Sequence, residues 1–264
     1  MPRPEPVPPF SYQTLHTPAQ LHDACLADEV AVAINYNDLN HAVMMASPDD
    51  LHDFAIGFSL GQGIIEQPCE LLDITIQHAG DHCQLDLELS SRRLWQLKRQ
   101  RRQLAGTAGC GLCGNSALEQ ALPQLQPGPS RPLPRPEHLA GLRQRLAARQ
   151  VRARQSGAMH AAGYIDAQGE LRVCREDIGR HNALDKLIGA LALARLPATE
   201  GFAIVTSRCS LELVHKAVRA GLPTLVSLAA PSQLSVRWAS ALGLNLIHLS
   251  QRAGPRVYRM EPVL

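Results

Sequence analysis

The chain is poor in aromatic residues and in net charge, and its start does not look like a leader. Phe, Trp and Tyr make up 4% of 264 residues, too few for the stacking platforms that hold single-stranded nucleic acid. The formal net charge is +2, so the field of the whole molecule gives no reason to expect a nucleic-acid partner. Residues 1–9 are proline-rich, with no basic segment followed by an apolar run, which excludes a secretory signal or membrane span there. A cytoplasmic protein with no membrane partner is expected. Seven cysteines is an odd count, and Cys25, Cys69, Cys83, Cys174 and Cys209 stand singly. Free thiols in a reducing compartment fit that pattern better than a disulfide framework.

What the chain does have is a glycine-laden loop, Gly106-Thr107-Ala108-Gly109-Cys110-Gly111-Leu112-Cys113-Gly114. Glycine beside each cysteine is expected to leave the thiols exposed and free to move. Upstream, Arg92, Arg93, Lys98, Arg99, Arg101 and Arg102 crowd the approach, and positive charge favours the nucleophilic thiolate. As a bare charge run, the same segment reads as a solvated helix face.

Around this loop the pattern predicts alternating elements. Residues 29–36 and 40–45 read as strands joined by Asn37-Asp38. Ser47-Pro48-Asp49-Asp50 offers an N-cap, a first-turn proline and first-turn acids for a helix ending near Gly61. Strands are expected at 71–77 and 84–89. The proline-rich stretch 121–136 reads as a linker or long surface loop, followed by a helix over 138–149 with Leu139, Leu142 and Leu146 as its apolar stripe. Beyond it, strands at 161–166, 171–176, 202–206, 224–228, 245–249 and 256–260 alternate with helices at 182–193, 211–220 and 233–242, the pattern of an α/β layer. The helix over 211–220 turns Leu213, Val214, Ala217 and Val218 inward and Glu212, His215, Lys216 and Arg219 outward. Four segments are expected: an N-terminal extension (1–27, partly disordered), an α+β subdomain holding the cysteine loop (28–120), the linker (121–136) and a C-terminal α/β domain (137–264).

A lone Cys-x-x-Cys is chemically ambiguous. Structural zinc needs four ligands, and no second pair is evident. Zinc deaminases need a His-x-Glu element, and none precedes the cysteines. A dithiol oxidoreductase would set the motif between a buried strand and a helix, whereas the preceding stretch here is basic. Sulfur transfer, in which a cysteine takes up sulfane sulfur as a persulfide and passes it on, requires what the loop offers. Two turns suit an anion: Arg175-Glu176-Asp177-Ile178-Gly179-Arg180-His181-Asn182 and Thr206-Ser207-Arg208-Cys209-Ser210 each end a strand and open a helix. A charge-capped turn explains the first equally well. His160 is a candidate proton carrier or ligand, and the arginine-bearing turn at 249–256 is a candidate phosphate clasp or an ordinary hairpin loop.

Taken together, Ala55-Ile56-Gly57-Phe58, the cysteine loop, Met159-His160-Ala161-Ala162, the run from Arg175 to Lys186, Ser207-Arg208 and Ala230-Pro231-Ser232 resemble the formate dehydrogenase accessory sulfurtransferase family, FdhD. The resemblance implies a cytidine-deaminase-like three-layer α/β core that has lost the deaminase zinc site, preceded by a mostly-β subdomain. It implies a sulfur carrier that takes sulfur from a cysteine desulfurase and delivers it to molybdenum in the bis(molybdopterin guanine dinucleotide) cofactor. That cofactor is bound transiently as substrate on its way to the catalytic subunit of formate dehydrogenase. Carried over residue by residue, Cys110 matches the persulfide-bearing cysteine and Cys113 an assisting or resolving one. The family's cofactor contact maps onto Leu249, Ser250, Gln251, Arg252, Ala253 and Gly254, where this chain departs from the family's Phe-Cys-Lys-Pro-Gly-Arg wording. With Arg180, His181, Ser207, Arg208 and His160, these residues make up the expected guanine-nucleotide pterin site. A homodimer is also implied. The alternatives are a non-catalytic cofactor-binding maturation chaperone and a Cys-x-x-Cys dithiol oxidoreductase.

Overall fold

Two sheets meet across a pair of glycine-faced helices in the computed structural model, which describes residues 10–106, 125–129 and 131–259. The first sheet has the order β4-β3-β6-β5, formed by β3 (Val30–Tyr36), β4 (Leu39–Ala46), β5 (Leu71–Ala79) and β6 (His82–Leu89). The period-two pattern of the sequence decides its faces. Val32, Ile34, Leu85 and Leu87 point inward and are buried, and they pack on Phe54, Ala55 and Phe58 of helix α1 (Leu51–Gly61). Each such side chain contributes about 2 kcal/mol of burial. The β3–β4 turn has Asn37 and Asp38 both at positive φ, the geometry that makes Asn-Asp a hairpin dipeptide. Helix α2 (Ser91–Gly106) follows β6.

The second sheet has the order β12-β11-β10-β9-β7-β8, built from β7 (His160–Ile165), β8 (Leu171–Asp177), β9 (Phe202–Arg208), β10 (Thr224–Ala229), β11 (Asn245–His248) and β12 (Arg256–Tyr258). Strands β9, β10 and β11 are mutually parallel, and β7 runs antiparallel to both β8 and β9. One face is covered by residues of α6 (Arg180–Leu193), α7 (Leu211–Arg219) and α8 (Gln233–Ala241). The other is covered by Leu139 of α3 (Pro136–Leu139) and by Leu142 and Leu146 of α4 (Leu142–Arg149). This is an α/β architecture with helices on both faces of a mixed sheet. A short helix α5 (Val151–Ser156) leads into β7.

The halves are joined where α1 crosses α6. A Cβ on Gly57 would lie 1.7 Å from the Asp185 carbonyl oxygen, and one on Gly189 would lie 1.9 Å from the Asp53 carbonyl oxygen. Each glycine therefore lets the opposite backbone approach to a distance no side chain permits.

Three expectations are corrected. Ser47 does not cap α1: the helix opens at Leu51 after Asp50 in a left-handed conformation, because the Ser47 hydroxyl is held elsewhere, accepting the Ile178 amide at 3.2 Å, and its own amide donates to Asp177 Oδ2 at 3.0 Å. The helix over 138–149 is two helices, broken at Gly141 with φ 62°; its leucine stripe is nonetheless buried. His215 and Lys216 of α7 face inward, at 6% and 2% exposure. There the helix meets α8, where Trp238 lies edge-on to His215, and Asp185 of α6, which binds Lys216. Within the N-terminal extension, β1 (Phe10–Thr14) pairs with β2 (Thr17–Ala24) as a separate two-stranded sheet. The described parts of the proline-rich stretch carry no regular element before Pro136, and they lie against α8 and β11, with Gly128 donating to the Leu242 carbonyl and Asn245 to that of Arg131.

Candidate functional site

Cys110 and Cys113 lie outside the described residues. The other candidate residues collect along one edge of the second sheet. Because β8, β9, β10 and β11 run in the same sense, their carboxyl ends share an edge with the start of β7. The next elements after β8, β9 and β10, apart from short turns, are α6, α7 and α8, whose N-terminal backbone N–H groups therefore open on that edge. Open α/β sheets take up ligands at such an edge.

At its β7–β9 end stand His160, Arg180, His181, Ser207 and Arg208. The His160 Nδ1 lies 3.3 Å from Thr206 Oγ1, and Thr206 Oγ1 also accepts the Ala161 amide at 2.9 Å. Burial, then the Arg180 guanidinium, hold the His160 imidazole below the ordinary histidine range. His181 Nε2 sits 3.1 Å from Ser210 Oγ and 3.4 Å from Glu212 Oε2. Burial lowers its pKa as well, against the opposing charge of Glu212. Both rings therefore favour the neutral form near pH 7, able to donate from one nitrogen and accept at the other. Ser207 is buried, its hydroxyl donating to the Arg208 carbonyl at 2.9 Å, while Arg208 is exposed.

The segment from Leu249 to Gly254 follows β11, three strand positions from β7. At strand spacing that is about 14 Å along the edge, so the edge brings the two groups onto one line without placing them side by side. Within the segment, Leu249 is buried and its carbonyl accepts from Arg143 at 2.9 Å. Ser250 Oγ accepts the Arg252 amide at 3.3 Å, and Gln251, Arg252, Ala253 and Gly254 are exposed.

Two residues missed in the sequence lie between these ends. Ser227 of β10 and His248 of β11 are register partners, and Ser227 Oγ and His248 Nδ1 are buried without a hydrogen-bond partner. Buried polar atoms left unpaired are costly. Neither residue belongs to a motif, so only the strand register brings them together.

Most of the long polar run has a different role. Arg175 donates to Asp53 at 2.6 Å, and Glu176 accepts the first amides of α5, those of Arg152 and Ala153. Asp177 meets Lys186 at 2.7 Å with both side chains fully buried. Asn182 donates to the Met45 carbonyl and Lys186 to that of Ser47. Of this run, Arg180 and His181 stand at the carboxyl edge of the sheet, Glu176 caps α5 within the second half, and Arg175, Asp177, Asn182 and Lys186 fasten the first half of the chain to the second.

A family model described as the FdhD/NarQ family matches residues 27–262. The sulfur carrier protein FdhD of Xanthomonas campestris pv. campestris (strain B100) is 47% identical over 225 residues, covering 84% of this chain and 79% of that protein. That of Xanthomonas oryzae pv. oryzae (strain MAFF 311018) is 44% identical over 236 residues, covering 88% and 83%. Among solved structures, a protein described as a formate dehydrogenase accessory protein from Desulfotalea psychrophila shares the fold, with TM-score 0.70 at 24% identity over 95% of both chains.

Proposed function

The chain belongs to the FdhD/NarQ family, and from that premise we propose that it is a cytoplasmic sulfur carrier in formate dehydrogenase maturation, acting as a sulfurtransferase. The Cys110 thiolate attacks the terminal sulfur of a persulfide on a cysteine desulfurase. The donor's S–S bond breaks, its cysteine leaves as a thiolate, and Cys110 holds the sulfur as a persulfide. For release as sulfide, the Cys113 thiolate attacks Cys110 Sγ. The terminal sulfur departs with the bonding pair, a Cys110–Cys113 disulfide forms, and a cellular dithiol reduces it again.

The acceptor is molybdenum in the bis(molybdopterin guanine dinucleotide) cofactor, bound as substrate along the edge of the second sheet. The observation that carries this reading is the alignment of three helix N-termini along that edge, with Arg180 and Arg208 toward one end and Arg252 toward the other. Amides and guanidinium groups so arranged suit the phosphates of a dinucleotide. The neutral His160 and His181 offer hydrogen bonds rather than charge, which suits a heterocycle. We read the second sheet with its two helical layers as the deaminase-like core that the resemblance implies. No helix among the described residues is long and apolar enough to cross a membrane.

Activation of a formate dehydrogenase apoenzyme supplied with cofactor, desulfurase and cysteine tests the reading. The wild-type chain is expected to restore activity and Cys110→Ala to leave it near background. Full activation by Cys110→Ala would overturn it.

A further inference from the structure

The helix that leads into the cysteine loop has a built surface not used by the ligand edge. α2 contains six arginines and lysines and no acid. One of them is structural: Arg93, 4% exposed, binds Glu70 at 2.7 Å, Glu66 at 2.8 Å and Gln96 at 2.9 Å, pinning the helix to the loop before β5. In contrast Arg92, Lys98, Arg99 and Arg101 are exposed, with no acidic partner among the described residues. Among them stands Trp95, 61% exposed, with the Arg99 guanidinium carbon 5.5 Å from its ring centre. Beside Trp95 a cavity of 420 Å³ is walled by Ile64, Leu97, Arg99 and Gln100, with Arg93 and its partner Glu66 also lining it.

A cavity beside an exposed tryptophan, on a helix whose other cations are exposed, has the anatomy of a protein-binding hot spot: an anchor site on a charged surface. A polyphosphate ligand fits less well. Arg93 at the cavity wall is already neutralised by two carboxylates, and Arg99 is stacked on the indole. The two cations that line the cavity are therefore both already engaged.

We infer that this face of α2 docks an acidic surface of the protein that donates sulfur to Cys110, with one apolar side chain of that partner seated beside Trp95. The inference rests on the sulfur-carrier reading. Chain geometry selects the occupant. Cys110 is four residues beyond Gly106, the end of α2, so even a fully extended chain places it within about 14 Å of that end. The helix itself is about 24 Å long. A macromolecular donor that reaches Cys110 therefore comes close to the end of α2, and the exposed Trp95 and cations of the helix are the surface it can extend over.

The test uses the full chain and a purified cysteine desulfurase. Affinity is measured at low and moderate salt for wild type, Trp95→Ala and an Arg92→Glu, Lys98→Glu, Arg99→Glu variant. Both variants are expected to bind at least about 30-fold more weakly, and the charge-reversed one to lose the salt dependence of wild type. Trp95→Ala, which changes no charge, is expected to load sulfur from glutathione persulfide at the wild-type rate, separating docking from thiol chemistry. If wild type takes sulfur from the desulfurase and the variants bind it equally well, the docking surface is overturned and the carrier reading stands. If wild type neither binds nor takes sulfur from any desulfurase, both fall. Variants that lose affinity for RNA or anionic vesicles while keeping it for the desulfurase also overturn the assignment.

Discussion

Ionisable residues do opposite work at two places in the second half of the chain. In the seam between α1, α6 and α7, Asp177 with Lys186 and Asp185 with Lys216 are shut away from water at 2.7 and 2.8 Å, and Ser47 supplies further hydrogen bonds from the first half. At the edge of the sheet, a few residues away in sequence, Arg180, His181 and Arg208 stay half-buried or exposed. A buried pair cannot be separated cheaply, because removing one partner leaves a charge in a low dielectric. An exposed arginine contributes little to stability and remains available to a ligand. The seam sets the position of the first half, and the edge is free to bind.

The largest expected effect comes from filling the seam. Gly57→Leu places a side chain where even a Cβ meets the Asp185 carbonyl oxygen at 1.7 Å. A loss of at least about 4 kcal/mol is expected, read as a melting temperature lower by roughly 10 °C or more; an unchanged melting temperature would contradict the close approach of α1 and α6.

Breaking one buried pair comes next. Lys216→Met is expected to cost about 3–5 kcal/mol, and the double change Asp185→Leu, Lys216→Met to recover most of it, as chemical denaturation would show. Burial pushes the Asp185 carboxyl up to about 6 despite Lys216. Its native pKa lies above the unfolded value, so the native state holds the extra proton between the two. Its contribution is therefore fully present below about pH 4 and is lost as pH rises through about 6. The double variant should lack that slope.

At the edge the pattern reverses. Arg180→Gln and Arg208→Gln are expected to change stability by less than about 0.5 kcal/mol while weakening GDP, as a probe of the cofactor's nucleotide end, by roughly 10-fold each. Calorimetric titration checks this, and unaltered GDP affinity would remove these arginines from the site. The smallest effect is local: in Arg180→Gln the His160 pKa is expected to rise toward its ordinary value, because one of the causes holding it down is gone. A histidine with a lowered native pKa contributes stability above the ordinary histidine pKa and loses it as pH falls through the native one. An NMR titration of the ring protons reads this shift directly.

Much of this was legible in the sequence. Period-two alternation marked β3 and β6, Asn37-Asp38 marked the hairpin, and strand–turn–helix wording at Asp177–Arg180 and Arg208–Leu211 placed two helix starts at one sheet edge. Lys216 and His215 were misread because helical periodicity in one segment cannot reveal that a helix is covered on two sides. Within the polar run, the sequence pattern does not distinguish Arg175, which ties down Asp53, from Arg180, which faces the edge. That difference arises from contacts more than a hundred residues away. Ser227 and His248 were invisible for the same reason, since the register of β10 on β11 brings them together.

The central claim is that Cys110 carries the sulfur. Mass spectrometry of the full chain, after incubation with a cysteine desulfurase and sulfur-labelled cysteine, tests it most directly. One labelled sulfur atom is expected on the peptide containing Cys110, absent in Cys110→Ala and retained in Cys113→Ala. Label that persists in Cys110→Ala, or that settles on Cys25 or Cys69, both exposed thiols, would contradict it.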